Sequence, residues 1–160
     1  MFLHSGYHQT ISKNTELAMS RIYIIEDEPI LRDLFQEYLL ASDLDITIVG
    51  SSGNGQEALA ECIELKPDIA LVDIRLPEVN GLEILHILKM RVPETKVLIF
   101  TGSTNTNAVR IAVEGKADGF IEKAAGLEQL VDAVKTVTRG EHYYSPAVYR
   151  QILTFKTTGV

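Results

Sequence analysis

From residue 21 onward the chain alternates two patterns of hydrophobic spacing. Short runs of consecutive apolar residues at 22–25, 46–49, 69–72, 97–100 and 120–121 carry little polar alternation, as expected of strands buried on both faces of a parallel sheet. Between them lie longer segments whose apolar residues recur at intervals of three and four, predicting amphipathic helices. Pro29 stands where the first turn of a helix tolerates a missing N–H, and Ile30, Leu31, Leu34, Phe35, Tyr38 and Leu39 mark one face behind it. A second helix at 56–65 follows the run Ser51-Ser52-Gly53-Asn54-Gly55 and stops before Pro67, because the residue ahead of a proline is pushed out of helical conformation. A third is predicted at 82–89, ahead of Pro93, and a fourth at 105–114 with Gly115 as its stop. A fifth runs through Leu127, Leu130, Val131, Val134 and Val137 and ends by Gly140.

Five such strand–helix units predict an α/β fold, a three-layer, doubly wound, five-stranded parallel sheet with right-handed crossovers and helices on both faces. The periodic region, 21–140, is expected to be one domain. Residues 1–20 show no periodicity and read as a flexible leader or residues added in cloning. His4 and His8 are four apart there, without a helical pattern or a third ligand, and read as solvated side chains. Residues 141–160 read as a linker or short helix, in which Val148, Ile152 and Phe155 supply one or two amphipathic turns.

With 160 residues, 46% hydrophobic and 23% charged, the chain is long enough for one sizeable core. A net charge of −7 argues against a nucleic-acid surface, which needs clustered Lys and Arg. No apolar run reaches the roughly 18 residues of a membrane span, and the N-terminus lacks a secretory signal pattern. A soluble cytoplasmic protein that binds neither membrane nor nucleic acid is expected. The single cysteine, Cys62, excludes an internal disulfide and, among Ala58, Leu59 and Ile63, reads as a buried inert thiol.

The polar residues that interrupt the pattern fall at strand ends. Glu26 and Asp27 follow the first strand, Asp73 the third, Thr101 the fourth and Lys123 the fifth. In an open parallel sheet the carboxyl ends of the strands line one crevice, so three carboxylates, a hydroxyl and an ammonium should converge. Carboxylates this close repel, raising the pKa of one of them, and a hard cation relieves the conflict. Mg²⁺ takes oxygen ligands and is ordinarily held by one or two carboxylates plus phosphoryl oxygens. The Thr101 hydroxyl and the Lys123 ammonium suit phosphoryl oxygens. Singly, an acidic turn, a strand threonine and a surface lysine are commonplace, and Glu28 suits the dipole of the helix it precedes. Their joint placement at successive strand ends is what points to a site for a phosphoryl group and a divalent cation.

These residues, with Asp73-x-x-x-Pro77-x-x-x-Gly81 and the approach Gly115-Lys116-Ala117-Asp118-Gly119-Phe120-Ile121-Glu122-Lys123, resemble the receiver domains of bacterial two-component response regulators. The resemblance spans 21–139, roughly three quarters of the chain. It implies the flavodoxin-like strand order 2-1-3-4-5 and a phosphorylation-dependent signalling switch that catalyses only its own phosphotransfer and dephosphorylation. It implies Asp73 as phosphoacceptor, with a sensor histidine kinase or phosphotransfer protein as donor. Mg²⁺ would be held by Asp27, Asp73 and the backbone carbonyl of Arg75, with Glu26 acting mainly through water. Lys123 would pair with the phosphoryl group, Thr101 would report its arrival, and Phe120, three residues before Lys123, would move with the threonine. Two charge-assisted hydrogen bonds, about 1.5–3 kcal/mol each, approach the roughly 5.5 kcal/mol of a full switch. The face around the fourth helix, fifth strand and fifth helix would change, and many relatives homodimerise on phosphorylation.

Two positions depart from the commonest form of the family. Glu26 stands where many members have Asp, and Ala124 follows Lys123 where many have a proline joined by a cis bond. A small residue there, and Gly140-Glu141-His142-Tyr143-Tyr144-Ser145-Pro146, resemble the NarL-type subgroup. Those proteins usually continue into a helix-turn-helix domain, of which this chain, ending at Val160, shows no segment. A phosphotransferase of the haloacid-dehalogenase type also uses Asp, Mg²⁺, Thr and Lys, but needs a second Asp where Arg75 stands. A flavin-binding flavodoxin needs a hydroxyl- and glycine-rich loop where Glu26-Asp27-Glu28 would repel phosphate. A receiver that is never phosphorylated has no need of the whole set.

Overall fold

The structure, a computed structural model, describes residues 19–158; His4 and His8 lie outside them. In chain order the elements are β1 (Ser20–Ile25), α1 (Pro29–Ala41), β2 (Ile46–Ser52), α2 (Gly55–Leu65), β3 (Ile69–Val72), α3 (Gly81–Arg91) and β4 (Lys96–Thr101). There follow α4 (Thr106–Glu114), β5 (Gly119–Glu122), a 3-10 turn (Lys123–Ala125), α5 (Leu127–Thr138), β6 (Tyr143–Tyr144) and α6 (Pro146–Thr158).

The strands form one sheet in the order β2-β1-β3-β4-β5-β6, and every pairing is parallel. Successive strand residues point to opposite faces, and both faces are apolar. Ile22, Ile24, Leu71, Leu98 and Phe100 pack with Phe35 and Leu39 of α1 and Leu130 and Val134 of α5. Tyr23, Ile25, Val72, Val97 and Ile99 face the other way, with Cys62 of α2, Leu85 of α3, Val109 of α4 and Ile152 of α6. These are the two outer layers of the predicted sandwich.

The predicted order 2-1-3-4-5 is present, but the sheet has a sixth strand. Tyr143 and Tyr144 pair with Gly119 and Phe120, held by main-chain bonds from Tyr143 N to Asp118 O at 3.1 Å and from Ser145 N to Phe120 O at 3.1 Å. Backbone pairing of this length leaves no side-chain period to detect. The C-terminal segment is also more regular than one or two turns, since α6 is a continuous helix of 13 residues. It begins at Pro146 and buries Val148 and Ile152, one turn apart.

The helix starts follow from local chemistry. Asn54, Asn80 and Asn105 cap α2, α3 and α4, each side chain accepting main-chain N–H groups of the first turn. Gly115 does end α4, but with φ −76°, and the left-handed turn after it is taken by Lys116 at φ 66°. Gly140, at φ 85°, makes the left-handed exit after α5. On the edge, β2 skips a residue against β1 between Ile22 and Tyr23. There Gly50 is required, because a Cβ would stand 2.6 Å from the Tyr23 ring. That ring is fully buried and its hydroxyl donates to Glu61. Among the described residues no helix is long and apolar enough to cross a membrane.

Candidate functional site at the carboxyl ends of the strands

Parallel pairing brings the ends of β1, β3, β4 and β5 to one edge of the sheet. The Asp73 N–H donates to the Ile25 carbonyl at 3.0 Å and the Glu26 N–H to the Ser52 carbonyl at 3.1 Å, so both acidic segments leave the sheet in a fixed direction. Carboxylate oxygens of Glu26, Asp27 and Asp73 lie within 4.8 Å of one another. Glu26 and Asp73 are buried and Asp27 is half-buried. An all-oxygen set of this charge fits a hard divalent cation and no soft one.

Lys123, just beyond β5, reaches into this cluster. Its ammonium is 2.5 Å from Glu26 Oε1 and 2.9 Å from Asp73 Oδ2. The other Asp73 oxygen accepts the Arg75 N–H at 3.2 Å, while the Arg75 side chain is exposed. Burial pushes the Glu26 carboxyl above the usual carboxylate range. The Lys123 bond opposes that rise and the Asp73 charge adds to it. Desolvation pulls the Lys123 ammonium down, but its bonds to Glu26 and Asp73 outweigh this and leave it above its ordinary value. The Lys123–Ala124 peptide is trans.

Thr101 and Phe120 lie on β4 and β5, the two strands that follow β3 in the sheet. Thr101 is the last residue of β4, fully buried, and its hydroxyl accepts the Ser103 N–H at 3.5 Å. Phe120 lies inside β5 opposite Ile99, with its ring fully buried. The structure therefore brings Glu26, Asp27, Asp73 and Lys123 into direct association and sets Thr101 and Phe120 on the adjoining strands.

Residues 22–135 match the family described as response regulator receiver domain. The chain belongs to that family. The receiver is 31% identical over 128 residues to the response regulator protein VraR of Staphylococcus aureus, an alignment covering 80% of this chain and 61% of VraR. The chain thus spans about three fifths of the length of the curated relatives it matches. Its fold is similar to a two-component response regulator of the LuxR family from Aurantimonas sp. SI85-9A1, with TM-score 0.80 and 25% identity over 87% of this chain and 99% of that one. The signal receiver domain of the response regulator NarL from Mycobacterium tuberculosis is also similar, with TM-score 0.72 and 26% identity over 77% and 98% of the two chains. The kinship is thus with LuxR- and NarL-type regulators, as the residues around Ala124 and Gly140 imply. It makes the receiver a signalling module and gives no support to a haloacid-dehalogenase-type phosphotransferase.

Two contributors to the site escape the strand-end argument. Arg32, in α1, donates to the Glu26 carbonyl at 2.7 Å and so anchors the acidic segment. Its signal is a cation early in a helix, where the dipole disfavours one. Gly81, first residue of α3, lies against the phosphoacceptor candidate's own backbone. A Cβ there would stand 2.1 Å from the Asp73 carbonyl oxygen, so only glycine lets α3 start beneath this loop.

Proposed function

We propose that the Asp73 carboxylate accepts a phosphoryl group from a phosphohistidine donor, a sensor histidine kinase or a phosphotransfer protein, and that its occupancy is the signal. The observation that carries the reading is the 2.9 Å contact between Asp73 Oδ2 and the Lys123 ammonium in the crevice shared with Glu26 and Asp27. In the transfer an Asp73 oxygen bonds to phosphorus as the bond from phosphorus to the donor's imidazole nitrogen breaks. The imidazole keeps that electron pair, and Asp73 becomes an acyl phosphate. Lys123, already at the carboxylate, follows the negative charge onto the phosphoryl oxygens. Glu26, Asp27, Asp73 and the Arg75 backbone carbonyl would hold Mg²⁺. When bound, such a cation offsets the repulsion among the carboxylates and stabilises charge on the transferring group.

Thr101 turns its hydroxyl to the phosphoryl group, and Phe120, on the next strand, repacks with it. In dephosphorylation, a water oxygen bonds to phosphorus as the bond from phosphorus to the Asp73 oxygen breaks. The carboxylate keeps that electron pair, the water's proton passes to solvent, and inorganic phosphate diffuses away. The receiver's own catalysis is confined to these two steps. Such a partner works in the cytoplasm, and the chain is read as cytoplasmic, with homodimerisation of the phosphorylated form as a candidate output. Incubation with acetyl phosphate and Mg²⁺ should add one phosphoryl group to the intact mass. The adduct should vanish with EDTA or in Asp73→Asn; labelling that persists in Asp73→Asn refutes the assignment.

A further inference from the structure

Helix α6 lies over α4 and the β5–β6 edge, the face through which a change at Thr101 or Phe120 would leave the domain. Its Val148 and Ile152 share one buried cluster with Val109, Ala112 and Phe120. Two tethers run to the segments carrying the candidate switch residues. Gln151 Nε2 donates to the Thr104 carbonyl at 3.0 Å, and the Ser145 N–H, just before the helix, donates to the Phe120 carbonyl at 3.1 Å. Yet the seam is incompletely satisfied. The Arg110 guanidinium lies 4.9 Å from the centre of the Phe155 ring, and its Nε is buried without a hydrogen-bond partner among the described residues, as is Gln151 Oε1. Polar atoms buried unpaired weaken a contact relative to an open, hydrated arrangement. Apolar side chains hold α6 down while these two atoms favour its release.

We propose that α6 is a reversible latch on the α4–β5 face and that occupancy of Asp73 loosens it. The inference rests on the roles given above to Asp73 and Thr101. With the Thr101 hydroxyl engaged by Ser103, the loop 102–105 stands where Gln151 can bond Thr104. Turning that hydroxyl to a phosphoryl group gives up the Ser103 contact and draws the loop away from Gln151. A ligand shifts an equilibrium only through its differential affinity for the two states. Here the difference is the Thr101 contact, which forms more readily once the loop is free of α6. By reciprocity, loosening α6 must tighten binding at Asp73 by the same factor.

Beryllium fluoride with Mg²⁺, added to the full chain, mimics the phosphoryl group. Fluorine NMR then reports the adduct, and hydrogen exchange reads the latch. The adduct should bring several-fold faster exchange in 146–158 with no change in α2. Val148→Ala and Ile152→Ala, each trimming a side chain that holds α6 down, should each speed α6 exchange without the adduct and lower the half-saturating beryllium fluoride concentration several-fold. An adduct that leaves α6 exchange unchanged, or slows it, overturns the latch while the Asp73 assignment stands. Faster α6 exchange in both variants at unchanged half-saturation breaks the reciprocity and also overturns the latch. No adduct at all overturns both.

Discussion

Replacing Lys123 with alanine leaves the Glu26 and Asp73 side chains, 2% and 6% exposed, without the cation that now lies between them. The ammonium is 2.5 Å from one carboxylate and 2.9 Å from the other. At an effective dielectric near 20, a contact of about 3 Å is worth about 5–6 kcal/mol before desolvation is counted. Most of that offsets the removal of the charges from water, and deleting one partner of a buried pair costs about 3–5 kcal/mol. Lys123 keeps 21% of its side-chain exposure, so water shares in its solvation and the lower end, about 3 kcal/mol, applies. With a urea slope of about 1–3 kcal/mol per molar, the unfolding midpoint should fall by about 1–3 M. The assay is equilibrium urea unfolding in EDTA, followed by far-UV circular dichroism. Glu26→Gln added to Lys123→Ala removes the repulsion and should recover at least half of the loss. Mg²⁺ should stabilise Lys123→Ala more than the native chain, because its carboxylates have no internal cation. An unchanged midpoint in EDTA, or a further fall on adding Glu26→Gln, would refute the charge balance argued here.

Gly81→Ala should destabilise by about 1–3 kcal/mol through overpacking, since its Cβ would stand 2.1 Å from the Asp73 carbonyl oxygen and 2.7 Å from Ile74 Cα. It should also slow labelling by acetyl phosphate; native stability and rate together would show the contact to be dispensable. In calorimetric titrations Asp27→Asn should weaken Mg²⁺ binding more than Glu26→Gln, because the Glu26 oxygens are committed to Lys123 and to the Glu28 N–H at 3.3 Å. The reverse order would make Glu26 the principal ligand. Burial, with a smaller contribution from the Glu61 charge, pushes the Cys62 thiol up to about 12, against about 8.5 in the unfolded chain. The folded state then holds the proton that the unfolded state releases, so stability should fall as pH rises above about 8.5, at up to about 1.4 kcal/mol per unit. Cys62→Ala is less stable at neutral pH but should lack this slope; parallel profiles for the two proteins would contradict it.

The two hydrophobic periods were enough to read the sandwich, because Ile22, Ile24 and Tyr23, Ile25 serve opposite faces of one strand. They understate the strands where polar residues complete the ladder. Ser20 and Arg21 belong to β1, and Ser51 and Ser52 to β2. Arg21 is held there by Asp68, whose carboxylate accepts its N–H at 2.8 Å, a contact between residues far apart in sequence. Strand β6 is invisible for a related reason, since its bonds are main-chain bonds and Tyr143-Tyr144 is too short to show a period. Helix α6 is half visible: Val148, Ile152 and Phe155 have helical spacing, but exposed Tyr149 and Leu153 blur the polar face. At the site, strand ends account for Glu26, Asp27, Asp73 and Lys123 meeting. They give no hint that Lys123 engages Glu26, or that Arg32 ties down the Glu26 backbone, because reach and rotamer decide both.

That engagement alters the energetics of the switch. If Thr101 and Lys123 each gained a fresh bond to the phosphoryl group, at about 1.5–3 kcal/mol apiece, the sum would approach the roughly 5.5 kcal/mol of a full transition. Lys123 already holds two carboxylate oxygens, so moving to phosphoryl oxygens exchanges one charge-assisted contact for another and yields much less than a new bond. The net drive then comes mainly from Thr101, whose present contact, from the Ser103 N–H at 3.5 Å, is long and weak. It is at most about 1.5–3 kcal/mol, or roughly a ten- to hundredfold shift in population. A shift of that size brings an equilibrium of 1:99 to between about 1:10 and parity, and does not drive it to 99:1. It produces a strong response only from an element already close to release. The α6 seam has that character: Val148, Ile152 and the partly buried Phe155 secure it with the Gln151–Thr104 bond, while Arg110 Nε and Gln151 Oε1 are buried in it without a hydrogen-bond partner among the described residues. A perfectly satisfied interface at the same place would stay shut against so modest a signal.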